Sequence, residues 1–266
     1  MSTSARKSMS ASDFGAEKRW TEHLILAQSP LWMIPAAYVM ISGVVLSWND
    51  AEYVAFATTV ALPSVLVPAL LSESSSRPWY RRYWVKLNIY IAIIVLFATY
   101  FVSHYFFDLM GMRYDFNSKW NFNSDVVGRT GGEVPVFMYP LTHANFMTYY
   151  TILLVAERAI VQRLQPGRIG RLFVLVALSY GVAFGDTFFL ASPLLSEVFS
   201  YADPDRMLKF GSLGYTAYFI GGVPMLKRID SKGEDWDLSR VVMEAFAACM
   251  GILVLFEIWA KLAGPL

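Results

Sequence analysis

The sequence predicts an all-α fold: a polytopic membrane helix bundle of about seven transmembrane helices. Three observations predict it. Of 266 residues, 56% are hydrophobic and only 16% are charged, too little charge to coat a soluble domain of this length. The apolar residues gather in runs close to the roughly 20 residues that a helix needs to cross a bilayer. The segments between the runs carry clustered Arg and Lys, with Trp48, Trp79, Tyr80, Tyr83, Trp84, Trp120 and Trp236 near the run ends, where interfacial anchors sit.

In chain order the spans read as 30–48, 51–72, 83–107, 135–163, 171–192, 208–226 and 238–262. Residues 1–29 are polar and mixed and read as a cytosolic N-terminal tail; residues 30–266 read as a single transmembrane bundle domain. The tail lacks the apolar core of a secretory signal, so the first span is expected to insert uncleaved. Only Asn49–Asp50 separate the first two spans, which predicts a tight hairpin. Pro63 and Pro68 should kink the second, with neighbours satisfying the freed carbonyls. The fourth span is overlong and should tilt or project. The long non-cytosolic loop at 108–134 ends near Gly128, Gly131 and Gly132. It reads either as a flexible connector or as a lid. Cys249, the sole cysteine, sits within the last span, so no intrachain disulfide or cysteine-based zinc site can form.

Positive charge predicts the orientation. Arg6, Lys7, Lys18, Arg19, Arg77, Arg81, Arg82, Lys86, Arg158, Arg163, Arg168, Arg171, Lys227, Arg228, Lys232 and Arg240 fall on one side, 16 of the 22 basic residues. Arg113, Lys119, Arg129, Arg206, Lys209 and Lys261 fall on the other. The excess predicts a cytosolic N-terminus and a C-terminus on the opposite face. The expected location is an integral, multi-pass membrane protein, of the endoplasmic reticulum if eukaryotic and of the inner membrane if bacterial. A formal net charge of +1 gives no reason to expect nucleic acid.

Ionisable side chains inside apolar runs are costly unless they face a protein interior, a partner or a cavity. His104, His143, Asp186 and Glu257 are such residues. At about 1.5 Å per residue, all four fall in the outer half of the bilayer, within a slab on the order of 10 Å. The shared depth predicts an apolar cavity bordered by the third, fourth, fifth and seventh spans. His104 and Asp108 are four apart and could pair. Asn145 is two residues from His143 and points about 160° away. Ser179 and Asp186 share a face. Asn145, Tyr105 and Glu244 are candidate substrate contacts. The bland alternative is that each His merely bonds a neighbouring helix and that Glu157, beside Arg158, snorkels to the interface. Asp186, between Gly185 and Thr187 in an apolar run, is hardest to assign to packing. No helix carries a His-x-x-x-His or Glu-x-x-His pair, so no metal site is expected. A retinal protein needs a lysine in the middle of its last span; the only one there, Lys261, is at the extreme end.

Five segments carry a resemblance. They are Arg82-Tyr83-Trp84-Val85-Lys86 with Asn88; His104-Tyr105-Phe106-Phe107 with Gly111, Tyr114 and Phe116; Leu141-Thr142-His143; the Tyr218-to-Arg228 stretch with Pro224-Met225; and Trp236-Asp237-Leu238-Ser239-Arg240. From about residue 17 to the end, the sequence resembles the cycloeucalenol cycloisomerase family. The resemblance places His104, His143, Asp186, Glu244 and Glu257 where that family has histidine or carboxylate. The loop around 117–133 is longer than in the plant form.

The resemblance implies opening of the 9,19-cyclopropane ring of a 4α-methyl sterol, a conversion of the cycloeucalenol-to-obtusifoliol type. Such an isomerisation is redox-neutral and implies no cofactor. An acid protonates C19 as the strained ring breaks, positive charge develops at C9, and a base removes the C8 proton. A carboxyl among apolar groups keeps its proton and can donate it; a histidine or second carboxylate can take the other. Aromatic faces can stabilise the cation, and a dry pocket keeps water from capturing it. The expected roles are Asp186 as acid, His143 or Glu257 receiving or relaying the second proton, and His104 orienting or recharging the acid; on sequence grounds these roles are interchangeable. The expected partner is a sterol or sterol-like lipid. Two other readings stand beside this one. A non-catalytic sterol or lipid carrier would use the same cavity, and a proton-coupled transporter the same acids, although the repeats of many transporters are not visible.

Overall fold

The computed structural model describes residues 11–71 and 77–264. Arg6 and Lys7, counted above for orientation, lie outside the described residues. The chain is helical almost throughout. Helices α1 (Ala11–Gln28), α2 (Pro30–Ile41), α3 (Asp50–Ala61), α4 (Pro63–Leu71), α5 (Tyr83–Phe97) and α6 (Ser103–Met110) are followed by α7 (Met138–Leu164) and α8 (Arg168–Leu190). A short α9 (Pro204–Arg206), then α10 (Ser212–Arg228) and α11 (Leu238–Ala263), complete the order. Two π-helical stretches, Ala98–Val102 and Met207–Gly211, join α5 to α6 and α9 to α10. The one sheet among the described residues pairs β1 (Arg113–Tyr114) antiparallel to β2 (Phe199–Ser200).

Five helical segments are long and apolar enough to cross a membrane: Ser12–Ile41, Asp50–Leu71, Tyr83–Met110, Arg168–Leu190 and Leu238–Ala263. Helices also stand at the two remaining span positions. There α7 is interrupted by His143, Asn145, Glu157 and Arg158, and α10 has 17 residues. By length and apolarity the count is therefore five where the sequence reading had about seven. Large apolar side chains such as Ile34, Phe173, Phe188, Phe246 and Met250 are exposed on the outer faces, as a surface in contact with lipid requires.

The first span is built differently from its sequence reading. The supposed tail is helical from Ala11, and Ser29–Pro30 divides α1 from α2. Pro30 has no N–H to give the preceding turn. The Ser29 hydroxyl bonds the Ile25 carbonyl at 2.8 Å and Thr148 of α7 at 2.8 Å, so the break is held against a neighbour. Helix α2 then stops at Ile41, because Gly43 adopts φ 70°. Asn49 caps α3 in a reciprocal box with Glu52: its side chain accepts from Ala51 and Glu52 N–H, and Glu52 accepts from Asn49 N–H at 2.8 Å. That satisfies donors a helix start otherwise leaves open. The second span breaks at Leu62–Pro63, as its prolines predict.

A buried ion cluster ties one end of the bundle together. Lys86 on α5 is fully buried and donates to both oxygens of Asp230, at 2.7 and 2.9 Å, and to Asp235 at 2.8 Å. Arg77 reaches Asp230 at 3.0 Å and Asp235 at 3.1 Å, and also pairs with Glu17 of α1. Trp236 N–H donates to Asp230 at 3.0 Å, and the Arg240 guanidinium lies 4.1 Å over the Trp236 ring. Partial burial opposes ionisation of Asp235, but Lys86, Arg81 and Arg77 outweigh it and hold the carboxyl below its usual range. Two segments that carried the family resemblance, 82–86 and 236–240, thus meet in space.

Removing one partner of a buried pair leaves the other charge uncompensated, at about 3–5 kcal/mol. Asp230→Asn should therefore destabilise the purified protein by about that much in chemical unfolding. Arg240→Gln, whose partner Glu234 is exposed, should cost under about 1 kcal/mol.

Candidate functional site

A cavity of about 550 Å³ lies at the end of the bundle opposite the ion cluster, within the range of small-molecule sites. Its walls come from helical stripes. On α7, Met138, Leu141, Thr142, Asn145, Phe146 and Tyr149 follow the three-and-four spacing of one face. On α8, Asp186, Phe189 and Leu190 do the same. Helix α2 contributes Trp32, Ala36 and Met40, and α10 contributes Tyr215 and Tyr218. Both π segments reach the wall, one through Ala98 and Thr99 and the other through Met207. A π turn rotates the following residues relative to a regular helix, and such insertions often occur at functional sites. Met112, Tyr114, Phe199 and Tyr201, on and beside the small sheet, close the far end.

Asp186 is the one Asp, Glu, His, Lys or Arg that lines this cavity among the described residues. It is buried, and the Tyr149 hydroxyl donates to its Oδ1 at 2.6 Å. Asn145 and Tyr215 also reach the carboxyl as hydrogen-bonding groups. The Tyr215 and Tyr218 rings stand edge-on to each other at 5.3 Å, and Phe146 is edge-on to Tyr218 at 5.4 Å. The result is an apolar, aromatic chamber with one acid on its wall. The exposed Ile34 of α2 and Phe189 of α8 line it too, so the chamber opens laterally between these helices.

The other sequence candidates are elsewhere. His143 Nε2 bonds the Asn88 side chain at 3.0 Å, on the side of α7 away from Asn145, as their two-residue spacing demands. His104 is buried but makes no hydrogen bond among the described residues; its ring packs edge-on to Phe107 at 5.5 Å. The expected His104–Asp108 pair does not form. Asp108 instead accepts from the Arg129 and Thr130 N–H groups and from the Thr130 hydroxyl at 2.8 Å. Glu257 is exposed and accepts from the Tyr105 hydroxyl, so these two satisfy each other outside the chamber. Glu244 meets Arg228 at 3.3 Å, near the opposite end of the bundle. The border expected from the seventh span is absent: no residue of α11 lines the cavity, and α2 takes that place. The shared depth does not bring the four together: His143 meets Asn88, two residues from Lys86, whereas Glu257 meets Tyr105, beside His104, and depth along a helix carries no information on which way a side chain faces.

Tyr149 and Tyr215 were missed. Tyr149 had a signal, since it lies four residues after Asn145 on one helical face. Tyr215 had none short of the fold. Among the described residues, no group of three or more His, Cys, Asp or Glu side chains gathers as a metal cluster.

The long loop is tied down rather than loose. Phe122 and Val136 exchange backbone bonds with Val134 and Trp120, and the Tyr139 hydroxyl donates to Phe122 at 2.7 Å. Asp50, on α3, accepts from Lys119 N–H at 2.6 Å and Trp120 N–H at 3.0 Å. Gly128, with φ 105°, lies against the His104 ring, where a Cβ would collide. That conformation also disfavours any L side chain. Gly128→Ala should therefore loosen the loop and speed proteolytic cleavage within it by about 10-fold, through a local cost on the order of 1–3 kcal/mol; limited proteolysis of folded protein checks this.

No family model matches the chain, and no solved structure matches it. Cycloeucalenol cycloisomerase of Arabidopsis thaliana is 31% identical over 262 residues, covering 94% of this chain and 88% of that protein. With identity at this level over nearly the whole chain, the chain belongs to the cycloeucalenol cycloisomerase family.

Proposed function

We propose that the chain is an intramembrane sterol isomerase that opens the 9,19-cyclopropane ring of a cyclopropyl sterol. Family membership supports the reaction class. The observation that carries the mechanism is a single buried acid, Asp186, on the wall of an otherwise apolar and aromatic chamber. As a neutral carboxylic acid, Asp186 gives its proton to C19 while the C9–C19 bond breaks. The bonding pair leaves with C19, which becomes a methyl group, and C9 becomes cationic. The C8–H bond then supplies the electrons for the C8–C9 double bond, and its proton must go to a base. The Asp186 carboxylate formed in the first step is the base on the chamber wall, and taking this proton restores the acid. Tyr149 holds the carboxyl in place through its 2.6 Å bond. His143 and Glu257 are bonded to Asn88 and Tyr105, and none of His143, Glu257 and His104 lines the chamber, so they act only through intervening groups. No redox partner enters this balance, so the proposal needs no cofactor.

The aromatic wall stabilises the C9 cation through its ring faces, and the apolar lining keeps water from trapping it. The proposal includes seven crossings, with α7 and α10 spanning as inner helices and the N-terminus in the cytosol, supported by the basic asymmetry. A reporter on each terminus checks the topology: both on one side would sink an odd number of crossings.

Purified chain incubated with a cyclopropyl sterol should yield the ring-opened isomer by mass spectrometry. Asp186→Asn should lower turnover by about 10²–10⁴-fold with the fold retained, the range of a lost acid–base group. Asp186→Glu should recover part of it. Tyr149→Phe should act more weakly, by about 10-fold, as expected for a group that only positions the acid. Near-normal turnover by Asp186→Asn would falsify the assignment, and sterol retained without turnover by the natural chain would point to a carrier.

A further inference from the structure

A second pocket, of about 350 Å³, lies at the basic end of the bundle, far from the chamber. It is formed by α1, the C-terminal half of α7, the first turn of α8 and the connection after α10. Six cations line it: Lys18, Arg19, Arg158, Arg171, Lys227 and Lys232. Only two carboxylates, Glu157 and Asp230, line it with them.

The pairing leaves a surplus. Lys227 meets Glu157 at 2.5 Å, and Arg158 meets Glu22 at 2.6 Å. Lys18 is buried and donates to the Lys227 and Ile229 carbonyls at 3.0 and 3.1 Å. Asp230 is already held by Lys86 and Arg77. Arg19, Arg171 and Lys232 therefore have no carboxylate partner among the described residues. Arg171 donates only to the Pro166 carbonyl at 3.2 Å. Three like charges converging on one hollow repel one another unless an anion enters.

The setting selects the anion. Next to Arg171 on α8, Leu172 is an exposed apolar side chain, and Leu154 and Val161 line the pocket from α7. A free phosphate would use the cations and leave this apolar margin unused. A lipid would use both, and basic pockets between spanning helices bind lipid headgroups by such charge convergence. We propose that this pocket holds the phosphate-bearing headgroup of an acidic glycerophospholipid, with an acyl chain lying along the first turns of α8. The site is independent of the sterol chemistry and would exist even if that reading failed.

The test uses the full chain in neutral detergent micelles, titrated with phosphatidylglycerol, with phosphatidylcholine and with inorganic phosphate, binding being read by native mass spectrometry. Phosphatidylglycerol should bind and phosphatidylcholine should not, at equal mole fraction. A variant carrying Arg19→Gln, Arg171→Gln and Lys232→Gln should lose affinity about fivefold per cation, on the order of 100-fold together. These side chains are exposed, and an unchanged lipid-free melting midpoint checks that the variant is folded; if it is not, the single Arg171→Gln variant carries the comparison. Lys119→Gln with Lys209→Gln, at the opposite end, should change nothing. Equal binding of phosphatidylcholine, unchanged affinity in the pocket variant, or an equal loss in the opposite-end variant would each overturn the proposal. Displacement of the lipid by inorganic phosphate at matched concentration would mark a soluble-phosphate site and overturn the lipid assignment.

Discussion

A fully buried lysine dictates much of this architecture. Lys86 cannot sit without water unless carboxylates meet it, and Asp230 and Asp235 do so from the connection between α10 and α11. Arg77 adds a second cation to the same two acids and hands the network on to Glu17 of α1. One electrostatic centre therefore sets the vertical position of α5, α10 and α11 relative to α1. Deeper in the bundle, the Tyr90 hydroxyl bonds the Gly222 carbonyl and the Tyr150 hydroxyl the Tyr218 carbonyl, each at 2.7 Å. These bonds extend the same register toward the chamber. Gly222 allows the approach, since a Cβ there would collide with the Tyr150 ring. Tyr215 and Tyr218 then arrive at the chamber wall, Tyr215 beside the Asp186 carboxyl.

The division of labour between the two ends changes the meaning of the family-bearing segments. Trp236 and Arg240 belong to the ion centre and its cover, and Lys86 is its core. Their residue types are demanded by buried charge, not by contact with a reacting molecule. The groups proposed to do chemistry come from less distinctive surroundings, where Asp186 and Asn145 stand among ordinary apolar residues.

Much of the helical plan was legible because hydrophobic runs and prolines act locally. The break at Pro63 and the cap at Asn49 follow directly from side-chain and backbone chemistry at those positions, whereas the two-residue hairpin expected there is an eight-residue connection, from Ser42 to Asn49. Asp186 was legible as well, since burying a carboxyl in an apolar run demands a reason. Azimuth was not. His143 and Asn145 are two residues apart yet serve opposite faces, and Glu257 is exposed. The π stretches at Ala98–Val102 and Met207–Gly211 have no sequence signature, because they depend on how neighbouring helices pack. The entry of α2 into the wall was hidden for another reason. Its apolar face reads the same whether it meets lipid or a chamber.

The lateral opening beside Ile34 and Phe189 changes what concentration means for any ligand of the chamber. A molecule that enters from the bilayer is sensed as a mole fraction of the surrounding lipid, not as moles per litre of solution. Adding inert lipid at constant total ligand dilutes it in two dimensions and lowers occupancy, although nothing in the aqueous phase has changed. Affinities measured in micelles and in membranes are then on different scales until both are expressed per lipid. The bilayer is in this sense the solvent of the site, and its composition sets how strongly the chamber competes for its guest.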